Sequence, residues 1–389
     1  TSSRTNAFVL EVSKPGPMTV QPGGSLLRPL HIFANPIETD KPDPKDPNVI
    51  YYGPGIHTAH KIDLTSGKTL YVAGGAVVYC DTAHRDYSKG EKYFVTGQGD
   101  NIKVMGRGIL CGRKTRRNSD NRVGIMVLKQ GKNVKAEGVI LRESSNWTFM
   151  TSLISGLLID NVKVIGYERS CDGIAICDTS NAVIRNSFCH NADDAMEIKV
   201  WNDMKNILFE NNVVWTTVAS AYGLAHETMA NVSNVTYRNC TVINAAENRS
   251  RRAPIGLSLH GPGNADRFLF ENIVIEYVQG PAMPPIRVQN NNDNGFNPSP
   301  ATLPNNPYVL ARPDPSQNRP RGTISNVTFK NVRVLNARCD HAVVVGDAEA
   351  SPITNVTFRN VVINGRKLTP GDRRIWTSKW VRNLSVKPK

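Results

Sequence analysis

Three carboxylates have the types and spacing for acid–base chemistry. Asp172 stands in Ser170-Cys-Asp-Gly-Ile-Ala-Ile-Cys177, and the pair Asp193–Asp194 in Asn191-Ala-Asp-Asp-Ala-Met-Glu-Ile-Lys199. Both segments alternate small or polar residues with Ile, Met and Val, as a strand with one buried face does. If the two strands stack in parallel register, Asp172 lies about one strand spacing (~4.8 Å) from the pair. Such crowding costs stability and raises some pKa values, and is tolerated mainly where acid–base chemistry uses it. Carboxyl pairs on either side of a glycosidic bond are the machinery of sugar hydrolysis, one protonating the leaving oxygen while the other activates water. The plainer reading of Asp193–Asp194 is a polar turn at a strand entrance, and the rest of the chain weighs against it.

The elements that must position these residues form a repeat. Its core, Asn-Val-x-Phe-x-Asn, occurs as Asn206–Asn211, Asn234–Asn239, Arg267–Asn272, Asn326–Asn331 and Asn355–Asn360. Weaker copies are Asn101–Gly106, Asn133–Gly138, Gly156–Asn161 and Asn181–Asn186. The closing positions advance by 32, 23, 25, 25, 28, 33, 59 and 29 residues. A period of this size with two-residue alternation inside each unit predicts a β-solenoid, here an all-β parallel β-helix. Inward Val, Ile and Phe stack coil on coil, and Asn or Gly closes each corner because these residues tolerate left-handed backbone. The Asn-x-Ser/Thr triplets at Asn234, Asn326 and Asn355 are corners of the repeat rather than glycosylation sites. Asp172 and Asp193, 21 residues apart, fall about one coil apart and on one face.

The chain divides into an N-terminal β segment and linker over 1–48, a β-helix over 49–364 and a C-terminal cap over 365–389. Ala7–Val12 reads as the clearest early strand. The 59-residue step holds either a coil plus a loop or a long insertion, and 280–321, with ten prolines, is mostly loop. Trp376, Trp380, Arg373, Arg374 and Lys379 suit a cap over the last coil.

A net charge of +14 and a pI near 9.5 favour a polyanionic partner such as an acidic glycan. The basic residues are scattered and no nucleic-acid recognition module is present. No apolar run approaches the ~18 residues of a membrane span. No basic segment followed by an apolar one opens the chain, so a leader is expected to be absent or removed. Seven cysteines without a Cys-x-x-Cys pair indicate neither a dense disulfide framework nor a zinc ribbon. No metal or other cofactor is expected.

Cys171-Asp172-Gly173-Ile174 followed by Asn191–Lys199 resembles the paired Asn-Thr-Asp and Asp-Asp motifs of the polygalacturonases, glycoside hydrolase family 28. It is also similar to the matching segments of dextranases and isopullulanase, family 49. Val213-Val-Trp215, Asn231–Val242, and Ile32–Pro36 leading into Tyr52–His57 look more like the dextranase side. The resemblance covers roughly residues 30–365. It implies a right-handed parallel β-helix and an inverting hydrolase with Asp193 as general acid and Asp172 and Asp194 activating the water. It also implies a secreted protein that acts, as a monomer, on a polysaccharide.

Three departures stand out. Ser170-Cys171 replaces Asn-Thr, and Gly223-Leu-Ala-His226-Glu227 stands nearest the Gly-His-Gly of polygalacturonases. Gly256-Leu-Ser-Leu-His260 stands nearest their Arg-Ile-Lys, which grips the substrate carboxylate. His226, Glu227, Lys199 and His260 are candidate substrate contacts, and Arg251 and Arg252, with Arg249, could supply the missing positive charge. Glu197 and Lys199 could form a supporting ion pair or line the cleft, and Trp147, Trp201, Trp215 and Tyr222, core-packing residues by default, could stack on sugar rings. The charge favours a galacturonan or sulfated galactan, whereas the missing Arg-x-Lys favours a neutral α-glucan. A lyase or epimerase acting on a uronate and a non-catalytic glycan binder are the alternatives on the same architecture.

Overall fold

The computed structural model describes residues 9–24, 29–81, 92–114, 122–247, 252–290 and 321–387. The chain separates into two units, Thr1–Lys41 and Pro42–Lys389. The small unit holds an antiparallel pair, Gly16–Val20 against Leu30–Ala34. The strand expected over Ala7–Val12 is not formed within residues 9–12. Val9, Leu10 and Val12 are exposed there, and alternation without a face to bury it makes no strand.

The large unit is a parallel β-helix built of three ladders. One ladder runs through Ile174–Cys177, Met196–Val200, Tyr222–Thr228, Ile255–Ser258, Ile286–Gln289 and Ala342–Val345. A second runs through Thr179–Arg185, Met204–Glu210 and Val232–Arg238, then the first halves of Ala265–Val278 and Ile324–Ala337, then Ile353–Arg359. The third contains Phe188–Asn191, Val213–Thr216 and Thr241–Ala245. Along the second ladder Phe209, Tyr237, Phe270, Phe329 and Phe358 stack face to face inside the coil, at centroid spacings of 4.4, 5.0, 5.0 and 5.3 Å. All five are buried, and each side chain withdrawn from water contributes on the order of 1.5–3 kcal/mol before packing is counted.

The corners follow from the repeat. Every opening and closing residue of the nine copies has a positive φ, Asn206 at 60° and Asn211 at 55° among them, and even Arg267 at 54°. Asparagine holds this geometry at lower cost than other non-glycine residues and adds a stacked amide. Asn234 Nδ2 donates to Asn206 Oδ1 at 2.8 Å, and Asn206 Nδ2 to Asn181 Oδ1 at 2.9 Å. A parallel ladder joins Asn326, Asn355 and Asn383.

The 59-residue step is a single coil with an insertion. Ala265–Val278 pairs directly with Ile324–Ala337, Phe270 opposite Phe329, and Ile286–Gln289 lies between them on the first ladder. Residues 291–320 of that insertion lie outside the described residues. Beyond residue 364 the chain continues the ladders. Ile375–Thr377 pairs with Ala342–Val345, and Val381–Arg382 and Ser385–Lys387 pair with Ile353–Arg359. All seven cysteines are buried thiols. Among the described residues no helix is long and apolar enough to cross a membrane.

Candidate active site

Ile174–Cys177 and Met196–Val200 are adjacent strands in register, Ala175 beside Glu197 and Cys177 beside Lys199. Asp172 and the Asp193–Asp194 pair sit in the corners that lead into these strands, so stacked coils bring them to one patch. The corners are tied to each other. Asn191, fully buried, directs Nδ2 at the carbonyls of Cys171 (3.2 Å), Asp193 (2.7 Å) and Asp194 (2.9 Å). Thr216 Oγ1 donates to Asp193 O at 2.9 Å, and Asp194 O accepts from Gly173 N at 2.8 Å. Asp193 itself accepts from Ser170 N at 3.1 Å and Asp194 N at 3.0 Å.

One cation holds the patch together. Lys199 Nζ lies 3.2 Å from Asp172 Oδ2, 3.5 Å from Asp194 Oδ2 and 3.2 Å from Glu227 Oε2, and 4.3 Å from the Trp147 ring centroid. Burial would lower its pKa, but these carboxylates outweigh that and raise it well above the usual lysine range. Glu227 reaches Lys199 because the ladder bulges. Register shifts between Ile198–Leu224 and Val200–Thr228, so Ala225, His226 and Glu227 face Lys199 alone. Such a bulge re-aims side chains.

The three aspartates differ in environment. Asp194 is buried, which would raise its pKa, but Arg252 Nη1 at 3.8 Å and Lys199 hold it down to about 2. Asp193 is the most accessible of the three, and burial together with the neighbouring Asp194 raises its pKa. Burial also lifts Asp172 well above the carboxylate range, with Lys199 opposing and Asp194 and Asp193 adding. The patch therefore offers one firmly ionised carboxylate beside an accessible carboxyl that keeps its proton to higher pH. Separated pKa values of this kind mark acid and base partners.

Of the expected contacts, Lys199 is only 2% exposed and braces carboxylates. His226 Nε2 lies 3.4 Å from Glu227 Oε1, and its ring is 5.4 Å from that of His260. Burial lowers the His226 pKa, favouring the neutral ring. His260 Nε2 lies 3.3 Å from Ser258 Oγ. Arg252 faces Asp194, whereas Arg249 and Arg251 lie outside the described residues. The expected Glu197–Lys199 pair is not the arrangement found, because Lys199 turns to Asp172, Asp194 and Glu227. Trp215 is buried against His190 with rings 4.7 Å apart, and Tyr222 is buried in the core, so neither stacks on a ligand. Trp201 is exposed, and Asp178 caps its turn through Trp201 N and Asn202 N, both at 2.7 Å.

The structure adds Arg287 and Gln289 to the residues singled out in the sequence. Glu197, Gly223, Gly256 and Arg287 stand in register on successive coils. Gly223 has φ 144°, and a Cβ there would meet Gly256 O at 1.6 Å, so this stretch of the face carries no side chain. Beyond it Arg287 and Gln289 form an Arg-x-Gln pair, one coil past the strand where Arg-x-Lys is missing. Arg287 Nε donates to Gln289 Oε1, and Gln289 Nε2 to Ser258 Oγ at 2.8 Å. The signal in the sequence is the alternation Ile286-Arg-Val-Gln289 next to the insertion.

A family model described as "Glycosyl hydrolases family 28" matches residues 84–302, more than half of the chain. No curated protein matches it. Among solved structures, an exopolygalacturonase from Thermotoga maritima superposes with a TM-score of 0.62 at 16% identity, covering 82% of this chain and 84% of the other. A polygalacturonase from Erwinia carotovora ssp. carotovora gives 0.55 at 18% identity, covering 86% and 85%. Dex49A from Penicillium minioluteum gives 0.57 at 16% identity, covering 92% and 67%. At these identities the superpositions show the fold.

Proposed function

The chain belongs to glycosyl hydrolases family 28 and is a glycosidase, and on that premise we propose that it cleaves an acidic polysaccharide with inversion through Asp193, Asp194 and Asp172. Asp193 is the general acid that protonates the leaving oxygen. Asp194 is the base that takes the proton of the attacking water, which Asp172 helps to orient. The observation that carries this reading is the electrostatic split within the pair: Asp194 is held at about 2 by Arg252 and Lys199 against its burial, while Asp193 is raised and accessible. Positioned acid–base groups of this kind contribute ~10²–10⁴-fold each.

An acidic glycan is favoured by the net charge of +14 and by Arg287, in register beside Gly256 on the side-chain-free stretch. One observation favours the neutral α-glucan instead: Lys199 and Arg252 both face carboxylates of the protein itself. A polymer of either kind is met outside the cell, so secretion goes with this reading. The test is kcat/KM on polygalacturonate, a sulfated galactan and dextran at low and moderate salt, since exposed charge attraction is screened over ~8 Å at physiological ionic strength. Salt-sensitive turnover of an acidic polymer is the expected result. Turnover of dextran alone, indifferent to salt, overturns the acidic substrate.

A further inference from the structure

We propose that Glu197 is a protonated positioning residue whose carboxylic O–H bonds Asp194 and holds that carboxylate, ionised, in place as the base; this rests on the reading of Asp194 given above. The first observation is a contact between two acids. The Glu197 and Asp194 carboxyls lie within hydrogen-bonding reach of each other. Two carboxylates offer only acceptors, so one member of such a pair must carry a proton.

The surroundings decide which. Asp194 has Lys199 at 3.5 Å, Arg252 at 3.8 Å and the Ser220 N–H at 3.4 Å. Among the described residues Glu197 forms no such close ion pair, and Arg252 and Lys199 act on it from further off. It is 2% exposed, flanked in register by Ala175 and Gly223, and neither neighbour offers it a donor side chain. Lys199, two residues along the same strand, is turned to Asp172, Asp194 and Glu227. Beneath Gly223, the Tyr237 hydroxyl donates to the Gly223 carbonyl at 2.9 Å. The Oε2 atom of Glu197 is buried with no hydrogen-bond partner among the described residues. As the carbonyl oxygen of a neutral acid this is a modest cost, whereas as half of a carboxylate it would be a buried charge left open. Burial, with Asp194 adding, also pushes the Glu197 pKa well above the usual range, while Arg252 and Lys199 oppose.

A neutral donor differs from a third cation. It fixes the orientation of the Asp194 carboxylate while lowering its basicity less than either of the two cations does. Glutamine offers the same donor, and alanine does not.

The test uses the full chain and reads the proton directly. Infrared difference spectra of wild type against Glu197→Gln at neutral pH should show a protonated-carboxyl C=O band that the variant lacks. In kinetics, Glu197→Ala should lose roughly 10–100-fold in kcat/KM, the equivalent of one hydrogen bond to a charged group, and Glu197→Gln should recover most of that loss with the pH profile unmoved. Absence of the band, or a Gln variant as impaired as the Ala one, overturns the proposal. The band is independent of turnover. If Asp193→Asn leaves hydrolysis intact, the assignment of the site fails while the spectrum still decides the proton.

Discussion

Lys199 Nζ lies 3.2 Å from Asp172 Oδ2 across adjacent coils, and both side chains are buried. The same ammonium reaches Asp194 and Glu227, so its removal strands several carboxylates at once. Lys199→Met is expected to lose ~3–5 kcal/mol of unfolding free energy at neutral pH, as breaking one side of a buried pair does. The Lys199 pKa is raised, so its own contribution is fully present below the unfolded lysine value (~10.4) and fades only as pH rises through the folded value. The variant's defect should therefore shrink on acidification, as its stranded carboxylates take protons. Urea unfolding of both proteins at neutral and acid pH checks this, and a defect independent of pH would refute it.

Asp193→Asn should lower turnover by ~10²–10⁴-fold with little change in thermal midpoint. Its backbone donors, Ser170 N and Asp194 N, lose one acceptor at a half-buried position. A variant above a tenth of wild-type activity would remove Asp193 from the acid's role.

Product anomers followed early by NMR should be inverted relative to the substrate. Retention would mean that one aspartate attacks the sugar as a nucleophile.

Glu197 carries a further prediction about stability. A carboxyl raised in the fold keeps a proton that the unfolded chain releases above ~4.3, so the fold weakens as pH rises from there through the folded value. Glu197→Gln removes this penalty. Its thermal midpoint should exceed that of wild type at neutral pH, and the two should converge below the ordinary carboxyl range. An advantage that persists in acid would show that the Glu197 proton is not its source.

Asn206→Ala and Asn206→Gly separate backbone from amide. Both lose the ladder bonds at 2.8 and 2.9 Å, but only Ala must hold φ 60° against a steric cost of ~1 kcal/mol or more. Calorimetry should rank wild type above Gly and Gly above Ala, and equal midpoints for the two variants would mean that the corner relaxes.

Much of this was legible in the sequence because it repeats. The Asn-Val-x-Phe-x-Asn units mark the corners and the inward aromatics directly, and the spacing of Asp172 and Asp193 places both on successive corners. What escaped depends on broken regularity. Glu227 meets Lys199 through a bulge that no periodicity announces. Arg287 and Gln289 lie one coil past Gly256–His260, the segment nearest the Arg-Ile-Lys motif, inside the proline-rich stretch 280–321 that reads as loop. Asn383 continues the ladder, but only two- and three-residue strands, Val381–Arg382 and Ser385–Lys387, flank it, too little for a pattern.

Since each coil is held by the coil before and the coil after, disorder can enter the β-helix most readily from its ends. The aspartate-bearing corners lie well inside, with paired strands from Val49–Tyr52 on one side to Ser385–Lys387 on the other. Fraying of a terminal coil is then a reversible local loss that stops at the next stack. The outer coils would then act as sacrificial windings, with the aspartate pair keeping its geometry while they open.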